Sequence, residues 1–119
     1  MAALLVAAGC SAPTKKPATD VTFAVIGNTS PASPFTGHPE RIEPVFESIN
    51  RENPMLVIHT GNVIQGGSGS MGVGPGDIAR QFRKFFEQKK RLAPILHVIA
   101  GTRDIYDGSL DLFRRYVGD

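Results

Sequence analysis

The chain has 119 residues, 41% of them hydrophobic and 20% charged, and a formal net charge of +2. This is the composition of one globular domain with a modest core, and it excludes a disordered chain. The positive surplus is too small to point to nucleic acid, which needs a basic stripe on one face, and a single cysteine excludes an intrachain disulfide.

Residues 1–9 form an apolar run rich in small side chains that ends at Cys10. The run resembles the end of a bacterial lipoprotein signal peptide, in which the cysteine is lipidated and becomes the first residue of the mature chain. That resemblance implies a lipid anchor at Cys10 and a place in the bacterial cell envelope, outside the cytoplasm. The other reading is a frayed apolar terminus with an ordinary thiol. Residues 10–20 are polar, contain two prolines and lack apolar periodicity, which describes an extended tether. No apolar stretch approaches the roughly 20 residues of a membrane-spanning helix. The globular domain is therefore expected over residues 21–119.

Residues 21–27 read as a strand, apolar almost throughout, as in a strand buried on both faces of a sheet. Residues 39–53 place Ile42, Val45 or Phe46, and Ile49 at helical spacing; Pro44 falls inside this stretch, so the helix either starts there, with proline in its first turn, or is kinked, and Asn53-Pro54 is the stop. A second strand is expected over 55–60. Residues 64–76 carry six glycines and read as a flexible surface loop. The loop has no Gly-Lys-Ser or Gly-Lys-Thr, so it is not a phosphate-binding P-loop. Asp77 then caps a helix that buries Ile78, Phe82, Phe85 and Phe86. Arg80, Arg83, Lys84 and the run Lys89-Lys90-Arg91 fit the solvated face of that helix. A third strand is expected over 95–100, and Ser109 caps a last helix holding Leu110, Phe113 and Val117. The series is βαβαβα, an α/β fold with a parallel sheet joined by crossover helices.

Each strand stops at a glycine and is followed at once by polar side chains: Gly27-Asn28-Thr29-Ser30, Gly61-Asn62 and Gly101-Thr102-Arg103-Asp104. Loop chemistry at the carboxyl ends of parallel strands converges on one site. In order and spacing, these three segments resemble the first three motifs of the calcineurin-like metallophosphoesterases: Asp-x-His, Gly-Asp and Gly-Asn-His-Asp/Glu. The resemblance covers residues 21–119 and the first half of that family's four-layer αββα sandwich. The family's later motifs, a lone His and Gly-His-x-His, do not occur in these 119 residues.

The resemblance implies a two-metal phosphoester hydrolase that uses Mn, Fe or Zn. Two dications about 3.5 Å apart repel by roughly 19 kcal/mol at an effective dielectric near 20, which anionic ligands must offset. At the family's ligand positions this chain has Asn28, Ser30, Asn62 and Thr102; at the catalytic His and its orienting acid it has Arg103 and Asp104. Two carboxylates have become amides, and Arg103 adds a fixed positive charge, so metal binding is expected to be weak or absent. His59 and His97 read as satisfied, mostly buried strand residues, and His38 as an exposed loop residue.

Three functions follow from the resemblance. One is a metallophosphoesterase-like protein without hydrolytic activity, or a fragment of a hydrolase. Another is a module in which Asn28, Thr29, Ser30, Asn62, Thr102 and Arg103 bind a phosphate or phosphoester anion. The last is an active phosphohydrolase using amide ligands and a partner chain. Against all three stands the reading that these polar residues only satisfy loop backbone. The expected partners are a phosphoester, a lipid membrane through Cys10 and a second copy of the chain through an exposed sheet edge, with no nucleic acid.

Overall fold

The structure, a computed structural model, describes residues 20–36 and 42–118. The expected signal segment and tether, with Cys10, and the expected loop residue His38 lie outside the described residues. The chain runs β1 (Phe23–Ile26), α1 (Ile42–Glu52), β2 (Leu56–His59), α2 (Pro75–Lys89), β3 (Ile95–Val98) and α3 (Asp111–Val117), with one 3₁₀ turn at Gly69–Met71. The three strands form a parallel sheet in the order β1-β2-β3. The fold is thus α/β, a βαβαβα parallel sheet.

Because the strand order advances in one direction, both crossovers turn the same way and lay their helices on the same face. On that face Ala24, Val57 and Leu96 stand in one cross-sheet row and Ile26, His59 and Val98 in the next. Ile42, Phe46 and Ile49 of α1 and Ile78, Phe82 and Phe85 of α2 close over them as one core. Phe82 lies edge-on to Phe113 and stacks on Tyr116 at 5.4 Å, which seats α3 on α2.

The helix ends follow from their residues. Pro44 is the third residue of α1, where its missing N–H costs no helical bond. Asn53 turns into the left-handed region (φ 47°) and donates its N–H to the Ile49 carbonyl at 3.1 Å, before Pro54 stops the helix. At α2 the capping residue is Gly74, with Pro75 opening the helix. Asp77 sits three residues further on and accepts the Gly74 N–H at 2.9 Å, so it caps from inside the first turn and not from the expected boundary position. At α3 the capping position is held by Leu110, whose side chain makes no cap; Ser109 stands one residue before it and its Oγ accepts the Asp111 N–H at 3.0 Å, so it supports the first turn from outside the expected position.

Two expectations are corrected. The strands are not buried on both faces. Phe23, Val25, Ile95 and His97 are exposed, in alternation with covered neighbours, so His97 is not a buried histidine. An all-apolar run of four residues does not reveal which face is covered.

The glycine-rich segment is also not a free surface loop. Val63, Ile64 and Val73 are fully buried. Gln81 reaches from α2 to bracket Gln65, accepting its N–H at 2.7 Å and donating to its carbonyl at 3.0 Å. Gly67 bridges to Tyr106, and the Tyr106 hydroxyl donates to the Val73 carbonyl at 3.2 Å. Burial, then the neighbouring Asp107 carboxylate, raises the Tyr106 phenol above its usual range, which keeps it a donor.

Candidate functional site

The carboxyl ends of β1, β2 and β3 meet as the sequence pattern requires. Their loops touch backbone to backbone: Asn28 N–H donates to the Gly61 carbonyl at 3.0 Å, and Thr60 N–H to the Ile26 carbonyl at 2.8 Å. This closeness is why glycine follows each strand. Gly61 has φ 95°, and a Cβ there would stand 2.3 Å from Gly101 N. At Gly101 a Cβ would stand 2.4 Å from Asn62 N. Asn28 and Asn62 both take positive φ, 56° and 57°, a conformation that asparagine tolerates better than most side chains.

Asp104 organises the centre. Its side chain is buried, and its carboxylate accepts four backbone N–H groups. Asn62 and Gly101 donate to Oδ2 at 2.8 and 2.7 Å, while Val63 and Ile64 donate to Oδ1 at 2.7 and 3.1 Å. One carboxylate therefore ties the loop after β2 to the loop after β3. With four donors around it, its charge is neutralised by amide dipoles instead of facing a ligand. Asp104 is a positioning residue.

Beneath this loop lies His59, fully buried and edge-on to Phe85 at 5.6 Å. Its Nδ1 accepts the Gly61 N–H at 3.0 Å, so that nitrogen carries no proton. The proton is then on Nε2, which donates to Thr29 Oγ1 at 2.9 Å. His59 is thus satisfied in the interior, as expected, and couples the first loop to the second.

The outer rim is neutral apart from one guanidinium. Arg103 is exposed; its N–H donates to Asn62 Oδ1 at 2.9 Å and its Nη1 reaches Ser30 Oγ at 3.4 Å. Of the residues singled out in the sequence, Ser30, Asn62, Arg103 and Asp104 are joined by these bonds. Asn28 and Thr102 are exposed on the same loops.

This donor set does not fit a divalent cation. Asn28 and Asn62 bring amides and Ser30 and Thr102 hydroxyls, Asn62 Oδ1 is engaged by Arg103 N–H, and the Asp104 carboxylate is enclosed by four amides. Among the described residues no group of three or more His, Cys, Asp or Glu is placed to hold a metal. The rim's chemistry is instead that of neutral donors around a guanidinium, which suits an oxyanion.

Sequence reading missed Gln81 and Tyr106, which fix the glycine-rich segment beside the site. Gln81 falls on the buried face of α2 with Ile78, Phe82 and Phe85, a polar residue at an apolar position, and that was the available signal; Tyr106, in a polar loop, carried none. Comparison of the chain with protein-family models, with curated proteins and with solved structures finds no match to any of them.

Proposed function

We propose that this chain is a metallophosphoesterase-like protein that has exchanged its metal site for a neutral rim and does not hydrolyse phosphoesters. The observation that carries this reading is Asp104: the one acid in the three motif tips is buried beneath four backbone N–H groups. Without a metal-bound hydroxide the rim offers only the hydroxyls of Thr29, Ser30 and Thr102 for attack at phosphorus, and the one acid that could activate them is enclosed by four amides.

A second reading is favoured by Arg103, whose exposed guanidinium reaches Ser30 Oγ while its backbone N–H is held by Asn62 Oδ1. In this reading the rim binds a phosphate monoester as an anion and releases it unchanged. Calorimetric titration with p-nitrophenyl phosphate tests both. The ester is expected to bind with salt-sensitive affinity and to be recovered intact with Mn²⁺ present. Arg103→Ala is expected to weaken binding by about tenfold or more, the loss of one charge-assisted contact, and Arg103→Lys to weaken it less. Release of p-nitrophenol that depends on Mn²⁺ would refute the first reading, and binding indifferent to Arg103→Ala would refute the second.

The proposed setting is the bacterial envelope, with the domain held to a membrane through lipid on Cys10. The support is the small-residue run before Cys10 and the polar tether after it. Metabolic labelling with a fatty-acid analogue in a bacterial host is expected to mark the wild type and not Cys10→Ala; equal labelling of both would exclude the anchor.

A further inference from the structure

All three helices pack on one face of the sheet, and the opposite face carries a continuous apolar surface. Its cross-sheet rows are Phe23–Leu56–Ile95 and Val25–Ile58–His97, extended by Ile99. Phe23, Val25, Ile95 and Ile99 are between 56% and 66% exposed, while Leu56 and Ile58 are half-buried between them. These side chains alternate strictly with the covered residues, as in a sheet built to receive a second layer. The rows hold no charged residue, and His97 is their one polar side chain.

We propose that this face is the interface of a two-fold symmetric dimer, in which the sheets of two copies of the chain pack face to face. The area supports it. The open face exposes on the order of 500 Å², within the range of the largest, often functional patch on a monomer. Two copies together would bury about 1,000 Å², the lower limit for a specific interface. The patch is also suited to itself: an uncharged apolar surface meets its own copy without like-charge repulsion, and a two-fold contact must be self-complementary.

The sheet edges are poorer candidates. Each outer strand is four residues long, and short edge strands pair weakly with another chain. In the face-to-face arrangement β2 lies nearest the two-fold axis, so Leu56 and Ile58 approach their own counterparts across layers about 10 Å apart. The dimer does not depend on the strand-end chemistry, and phosphate binding by the rim is expected to survive its loss.

Sedimentation velocity of the full chain, under reducing conditions so that Cys10 cannot link copies, tests the proposal. A monomer–dimer equilibrium is expected between about 5 and 500 µM, as befits an interface at the small end of the specific range. Val25→Lys and Ile95→Lys each place a charge on the face at a site exposed in the single copy. Both are expected to remain folded by circular dichroism and to sediment as monomers throughout. In a Cys10→Ser background, Ile58→Cys is expected to cross-link with a short bis-maleimide, whereas Ser48→Cys, exposed on α1, is not. A wild type that stays monomeric would overturn the proposal. So would a dimer unaffected by both lysines, or lysine-sensitive binding to phosphatidylcholine vesicles in place of self-association.

Discussion

Replacing Asp104 by alanine is expected to cost about 4–6 kcal/mol of folding stability, a large part of the 5–15 kcal/mol that a domain usually has. The substitution removes one side chain but strands four backbone donors: Asn62, Val63, Ile64 and Gly101. Val63 and Ile64 are fully buried, so water cannot readily replace the lost oxygen there. An unsatisfied buried N–H costs about 1–3 kcal/mol, and water reaching the half-exposed Asn62 and Gly101 amides trims the total. Asp104→Asn keeps one acceptor oxygen but turns an NH₂ toward donors, and is expected to cost about 3 kcal/mol. Urea unfolding of the three proteins measures both values. A loss below about 1 kcal/mol for Asp104→Ala would mean that the carboxylate does not join the two loops.

The second large effect is a gain. Asn28→Asp, Asn62→Asp, Thr102→Asn and Arg103→His together put at four strand-end positions the residues that the proposed metallophosphoesterase likeness calls for. Two carboxylates are added, and the guanidinium bonded to Ser30 Oγ is removed. Hard cations are held by charged oxygen ligands, so Mn²⁺ affinity is expected to rise about tenfold or more. These four exchanges are expected to raise metal binding without conferring hydrolysis by themselves. Asn62→Asp also keeps an acceptor for the Arg103 backbone N–H, so the loop itself is expected to survive the exchange.

Much of the fold was legible because its signals are local. Asn53-Pro54 ends a helix through the backbone needs of those two residues, and Phe82 and Phe85 recur at the spacing of a buried helical face. The convergence of the three loops was legible for a related reason: parallel strands put their carboxyl ends at one end of the sheet. What could not be read depends on contacts distant in sequence. The loop of six glycines has the composition of a flexible segment, yet Gln81 and Tyr106 hold it in place from α2 and from the loop after β3. Val25 and Ile95 carry no mark that their face of the sheet would be left open, since apolar strand residues look alike from either side. At the site, Asp104 stands in the sequence where the resemblance implies an acid that orients a catalytic histidine. Only the placement of four amides around it identifies it as the clamp that shapes the rim.

The proposed inability of the strand ends to hold metal is open to a Mn²⁺ titration of the unmodified chain beside the fourfold variant. The titration is followed by isothermal calorimetry and checked by elemental analysis after dialysis. No saturable binding is expected for the unmodified chain, and clear binding for the variant. Stoichiometric metal in the unmodified protein, lost together with phosphodiesterase activity in Asn62→Ala, would contradict this proposal and establish an enzyme that works with amide ligands.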